Sequence, residues 1–139
     1  MPPTGDVAVV IPARNESDRI GATVAAAAGL PGVDIVVVVD DGSDDGTAAA
    51  AERAGASVMR HARNRGKAAA METGAEAIRL LEAGQDRACP RHLLFLDADL
   101  AETAAEAAPL TVPVQAGQAD MTIAVFSNRA RHGGHGLVV

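Results

Sequence analysis

Apolar runs alternate with polar, glycine-marked segments along the chain. Val7-Ala8-Val9-Val10-Ile11 is stopped by Pro12, and Ile35-Val36-Val37-Val38-Val39 by Asp40-Asp41-Gly42-Ser43. Ser57-Val58-Met59-Arg60 is shorter, and Leu93-Leu94-Phe95-Leu96 ends at Asp97. The run at 7–11 predicts a first strand, the apolar runs at 35–39, β-branched throughout, and at 93–96 predict buried strands, and 57–60 predicts a short third strand. Met121 to Phe126 predicts a fifth strand. The intervening segments read as helices. One starts at Asn15 or Ser17, either of which can cap it, and runs to about Ala28; another covers Ala48 to Ala54 and is closed by Gly55. A long Ala-rich helix covers Lys67 to Ala83, with apolar positions at Met71, Ala75, Ile78 and Leu81, and Gly84 ends it. A short helix covers Glu102 to Ala107, and Pro109 and Pro113 leave 110–115 unassigned. Regular alternation of strand and helix predicts right-handed βαβ units. The expected fold is therefore α/β, Rossmann-like, with a mainly parallel sheet of about five strands and helices on both faces. One domain over 1–139 is the default at this length. The segment 127–136 reads as a glycine-rich loop, and Leu137-Val138-Val139 as the start of a further element cut short.

Composition changes this picture in a few places. Apolar residues make up 48%, enough for a core, but there are two Phe and no Trp or Tyr. The core must be built from Val, Ile, Leu and Ala, which bury little area each. A net charge of -6 argues against a general nucleic-acid binder, which usually carries a basic face. The single cysteine, Cys89, excludes an intrachain disulfide and a cysteine metal cluster, and nothing beside it suggests a chemical role. No stretch approaches the ~20 apolar residues of a membrane span. The first residues lack the basic and apolar regions of a secretory signal. The expectation is a cytoplasmic protein without a transmembrane segment, which leaves peripheral membrane association open.

The candidate chemistry lies at strand ends. Pro12-Ala13-Arg14-Asn15-Glu16, Asp40-Asp41-Gly42-Ser43 and Asp97-Ala98-Asp99 each follow an apolar run. In a parallel sheet all three lie on the carboxyl edge, where open α/β sheets bind ligands. Each alone also reads as turn or helix-start chemistry; together they point to one shared site. If the fourth strand continues to its end, Asp97 and Asp99 face the same side. Two carboxylates about 4 Å apart repel by roughly 4 kcal/mol at an effective dielectric near 20. A proton, a basic side chain or a divalent cation must compensate, and oxygen-only ligands favour Mg²⁺ or Mn²⁺. The competing reading makes Asp99 the N-cap of the helix that follows. Asp40 or Asp41 can accept from a nucleobase N–H or from ribose hydroxyls. Lys67, with the amides at the start of its helix, can stand near phosphates. His61, Arg63 and Arg65 read as a solvated loop. Neither the dinucleotide glycine fingerprint nor the phosphate-loop motif is present, since Gly66-Lys67 is followed by Ala68. His132 and His135 are three apart between glycines, a metal pair or simply part of a flexible loop.

Taken together, Val-Val-Ile-Pro-Ala-Arg-Asn-Glu (9–16), Val-Val-Asp-Asp-Gly-Ser-Asp-Asp-Gly-Thr (38–47), Asn-Arg-Gly-Lys (64–67) and Leu-Phe-Leu-Asp-Ala-Asp (94–99) resemble family 2 glycosyltransferases of the GT-A fold, in order and spacing over 7–126. The resemblance implies a nucleotide-diphosphate sugar donor, a divalent cation, Mg²⁺ or Mn²⁺, at the Asp-x-Asp motif, and inverting transfer to an acceptor it does not identify (a glycan, a lipid or a small molecule). It implies donor contacts at Pro12, Ala13 and Glu16, a base-receiving residue among Asp40 and Asp41, a nucleotide-side lysine at Lys67, and the metal and diphosphate site at Asp97 and Asp99. Family members continue into an acceptor half that carries the catalytic base, for which this chain offers no clear candidate. The expectation is thus a donor-binding half, incomplete without the acceptor half. A non-catalytic nucleotide-sugar-binding module is the alternative. A nucleotidyltransferase ranks lower, because Pro12 to Glu16 has no glycine for the loop such an enzyme places after its first strand.

Overall fold

The computed structural model describes residues 5–124. Four strands form one parallel sheet: β1 (Val7–Ala13), β2 (Val33–Asp41), β3 (Ser57–His61) and β4 (His92–Phe95), in the order β3-β2-β1-β4. The helices are α1 (Ile20–Ala28), α2 (Thr47–Arg53), α3 (Lys67–Ala83) and α4 (Ala108–Gln115), with a 3₁₀ segment at Ala98–Ala107. The central strand β1 has no exposed residue from Val7 to Ile11. This is why its sequence is apolar without alternation.

The two sides of the sheet differ in thickness. Val7, Val9 and Ile11 pack with Val36, Val38 and Leu94 against Ile20, Val24 and Ala27 of α1, Ala51 of α2, and Ala104 and Ala107 of the 3₁₀ segment. On the other side, Ala8, Val10, Val37 and Val39 meet Ala70 and Ile78 of α3. That side is thin because the helix comes close. A Cβ on Gly74 would lie 2.2 Å from Val10 Cγ1. The close approach corrects the expected buried face of α3. Ala70, Gly74 and Ile78 face the sheet, spaced by four, while Leu81 and its neighbour Leu80 are exposed.

Other boundaries also move. The first helix starts at Ile20, and neither Asn15 nor Ser17 caps it. β4 stops at Phe95, although the Leu96 N–H still reaches the Val10 carbonyl at 3.1 Å. The segment after it is 3₁₀, not α, and is interrupted at Ala101. The unassigned residues 110–115 are helical within α4. Pro109 falls in its first turn, where a missing N–H costs nothing, and Thr111 and Val114 are buried. Of the expected fifth strand, the described part 121–124 holds a single β-bridge residue, Ile123, and Met121 and Ile123 are each 60% exposed; its last residues, Val125 and Phe126, lie outside the described residues. So do His132, His135 and the apolar 137–139 segment. Among the described residues no helix is long and apolar enough to cross a membrane.

Candidate functional site

The carboxyl ends of β1, β2 and β4 and the start of α3 enclose a cleft of about 440 Å³. It is lined by Pro12, Ala13, Arg14, Glu16, Asp41, Asn64, Gly66, Lys67, Asp97, Ala98 and Asp99. Of the residues expected at the site from sequence, Pro12, Ala13, Glu16, Asp41, Lys67, Asp97 and Asp99 meet here, and Asp40 does not.

The polar residues after β1 and β2 bond to each other rather than cap helices. The Asn15 N–H donates to Ser43 Oγ at 2.9 Å, the Glu16 N–H to Thr47 Oγ1 at 2.9 Å and the Ser17 N–H to Asp45 Oδ2 at 3.3 Å. In return, the Asp44 N–H donates to Asn15 Oδ1 at 2.8 Å. Asn15 adopts φ 54, a conformation asparagine tolerates better than most residues. Hydrogen bonds from the Thr47 hydroxyl and amide and from Ser17 hold the Asp45 carboxyl below its usual range. Glu16 is braced by Arg19, Nη2 to Oε1 at 2.6 Å.

Asp40 and Asp41 point to opposite sides of the sheet, as successive strand residues must. Asp40 is fully buried. Its Oδ1 accepts the Ser43 N–H at 3.0 Å, and its Oδ2, without a hydrogen bond, lies 3.4 Å from Arg60 Nε. Asp41 reaches the cleft and gathers the loop that precedes α3. It accepts from His61 Nδ1 at 2.8 Å, the Arg65 N–H at 2.7 Å and the Gly66 N–H at 2.9 Å. Burial pushes its carboxyl up, but the His61 hydrogen bond and the two amides outweigh this and hold it below the usual value.

His61 is therefore not in a solvated loop, as its polar neighbours suggested. It ends β3, is 7% exposed, and its Nε2 lies 2.8 Å from Thr73 Oγ1 on α3. With Asp41 ionised, Nδ1 carries the proton, and Nε2 shares a hydrogen bond with the Thr73 hydroxyl. Gly42 makes room for the same loop. A Cβ there would lie 2.5 Å from the Asn64 nitrogen, and its φ of 77 suits glycine. Arg63 and Arg65 are exposed, as expected.

The Asp-x-Asp pair reaches the cleft by a different route from the one its spacing suggested. β4 ends before it; Asp97 is extended and Asp99 falls in the first turn of the 3₁₀ segment. Asp97 stands at the N-cap position but its side chain makes no capping bond. The Lys67 ammonium forms an ion pair with Asp97 Oδ1, so a basic side chain supplies part of the charge compensation for this carboxylate. Among the described residues no group of three or more His, Cys, Asp or Glu side chains could hold a metal ion. Asp97 and Asp99 offer hard oxygen donors beside an open cleft. That set suits a cation such as Mg²⁺, which binds through one or two carboxylates and takes its remaining ligands from phosphate and water.

Sequence reasoning did not single out Arg14 or Asn64 for the cleft, although both stand in motifs it quoted. It also missed the hydroxyls of Ser43, Thr47 and Thr73, whose partners are distant in sequence.

Comparison with known proteins bears on this arrangement. The family model described as Glycosyl transferase family 2 matches residues 8–135. An uncharacterized protein of Methanocaldococcus jannaschii is 37% identical over 94 residues, which cover 68% of this chain and 35% of that protein. Glucosyl-3-phosphoglycerate synthase from Mycobacterium tuberculosis is structurally similar. Its complex with Mn²⁺, UDP-glucose and phosphoglyceric acid matches at a TM-score of 0.60 and 28% identity, covering 81% of this chain and 40% of that one. Its complex with Mg²⁺ and UDP matches at 0.57 and 28%, covering 78% and 38%. The chain spans well under half the length of each of these relatives.

Proposed function

Because the chain belongs to glycosyl transferase family 2, we propose that the cleft is the donor side of a glycosyltransferase site and takes a nucleotide-diphosphate sugar. One observation carries this: three strand ends and Lys67 converge on one cleft that holds Asp97 and Asp99. The synthase that resembles this chain was crystallised with UDP-glucose and Mn²⁺.

In this reading Pro12, Ala13 and Glu16 form the wall along the nucleotide. Asp41, not the buried Asp40, faces the base. A carboxylate has about four lone-pair sites; three are used on the His61, Arg65 and Gly66 donors, which leaves acceptor capacity for a base N–H. Lys67 places positive charge beside the diphosphate and orders Asp97 until it binds. Asp97 and Asp99 would hold Mg²⁺ or Mn²⁺ together with phosphate oxygens. When bound, the cation would neutralise charge on the leaving diphosphate. Transfer would be a single displacement with inversion, the acceptor oxygen bonding to the anomeric carbon as the bond to the diphosphate oxygen breaks. The base that activates the acceptor hydroxyl is assigned to no residue of this cleft.

A second reading is donor binding without turnover, since no residue lining the described cleft is assigned the role of the acceptor base. Calorimetric titration with UDP, with and without Mn²⁺, tests the shared core of both. Binding that strengthens with Mn²⁺ and loses that dependence in Asp99→Ala is expected. Equal binding with and without the metal would sink the proposal. Release or transfer of sugar from labelled UDP-sugars then separates enzyme from module.

A further inference from the structure

Asp97 and Asp99 are oriented by the turn from Asp97 to Ala101, and that turn is fastened to α1. Thr23 lies fully buried in α1, and its hydroxyl reaches both ends of the turn. Thr23 Oγ1 accepts the Ala101 N–H at 2.8 Å and donates to the Ala98 carbonyl at 2.7 Å. A mid-helix threonine commonly bonds back to the carbonyl four residues earlier. Here that carbonyl, on Arg19, is the longer contact at 3.0 Å. The hydroxyl carries a single proton, so the shorter Ala98 bond is its better use. Asp99 sits between the two bracketed residues.

The far end of the turn is strained. Ala101 adopts φ 51 and ψ -135, a conformation that residues other than glycine avoid and that persists only where the surroundings over-determine it. The Thr23 bond to its N–H is part of what holds it. Packing alone does not call for a hydroxyl here. Ile20, Val24 and Ala27 on the same helix fill the core with apolar groups, and a valine would occupy the same volume as Thr23.

We propose that Thr23 is a positioning residue for the donor site: its hydroxyl, bonded to Ala98 and Ala101, fixes the orientation in which Asp97 and Asp99 face the cleft. This rests on the reading of those aspartates as the cation and diphosphate site. Thr23 touches neither ligand and acts through the turn.

The test compares Thr23→Val, which keeps the volume and loses the hydroxyl, with Thr23→Ser, which keeps the hydroxyl. The whole 139-residue chain of each is titrated with UDP, with and without Mn²⁺. Thr23→Val should lose about tenfold in affinity with Mn²⁺ and less than about twofold without it, while Thr23→Ser stays within about threefold of wild type in both, the scale on which removing the partners that orient metal ligands acts. Amide exchange at Ala101 should quicken in Thr23→Val. If circular dichroism shows Thr23→Val unfolded, Thr23→Ala, a better helix former, takes its place in the same titration. Equal Mn²⁺ enhancement in wild type and the hydroxyl-free variant overturns the positioning role alone. Absence of any Mn²⁺ enhancement in wild type overturns the donor-site reading and the positioning role together.

Discussion

His61 Nδ1 lies 2.8 Å from Asp41 Oδ1, and the two residues are register partners at the ends of β3 and β2. The strand pairing brings them together, and the carboxylate then collects the Arg65 and Gly66 amides as well. One side chain thus shapes the loop that delivers Lys67 to the cleft.

Removing that carboxylate should be costly. Asp41→Ala leaves the His61 ring N–H and two backbone N–H groups without their acceptor, and an unsatisfied buried donor costs about 1–3 kcal/mol. Urea unfolding should show a loss in that range. A loss within about 0.5 kcal/mol, the usual scale of surface substitutions, would mean that water replaces the carboxylate freely.

Acid should erase the same contribution. The folded-state pKa of Asp41 lies below its ordinary 3.8. A carboxyl depressed on folding stabilises fully above its unfolded value and loses that contribution as pH falls through the folded one. The stability gap between wild type and Asp41→Asn should therefore be constant above about pH 5 and shrink below about pH 4. Chemical denaturation of both proteins between pH 3 and pH 6 (about the range needed) reads this directly. A gap that widens on acidification contradicts it.

Lys67 is a positive charge lining the cleft proposed for the diphosphate. Lys67→Met should lower UDP affinity about tenfold at low salt, and the difference should narrow as salt screens the interaction. Asp97 would lose its ion-pair partner at the same time. Titration at two ionic strengths measures both effects, and an unchanged affinity at low salt would remove Lys67 from the site.

Gly74 offers a test of packing with no ligand involved. Alanine is the better helix former by about 0.8–1.0 kcal/mol. Its Cβ, however, would sit 2.2 Å from Val10 Cγ1 in the thin layer between α3 and β1. Overpacking of that kind costs typically about 1–3 kcal/mol, so Gly74→Ala should destabilise on balance. A higher melting temperature in the variant would show that α3 can lift from the sheet without penalty.

Much of the candidate site is legible in the sequence. The apolar runs of β1 and β2 located two strand ends, and Lys67 to Ala83 was bounded correctly by Gly66 and Gly84. Parallel topology then gathered Pro12, Ala13, Glu16, Asp41, Lys67, Asp97 and Asp99 on one edge. Asn15 and Ser17 misled because a residue able to cap a helix locally can equally bond across to another loop. His61 misled because a polar neighbourhood in sequence says little about burial when a strand runs one residue further. Asp97 and Asp99 reached the cleft, but through a 3₁₀ turn, since period-two geometry holds only while the strand lasts.

Sequence by itself determined the strand–helix alternation, the carboxyl-edge location of the polar clusters and the chemistry they offer. These follow from local backbone preference and from the solvation cost of apolar runs, both written in neighbouring residues. Only tertiary structure decided which polar group meets which: Asp41 with His61, Ser43 with Asn15, Lys67 with Asp97, and Thr23 with the turn at Ala98 and Ala101. Hydrogen bonds and ion pairs act over a few ångströms, so their partners are chosen by which elements the fold packs together, at separations along the chain that no local pattern records.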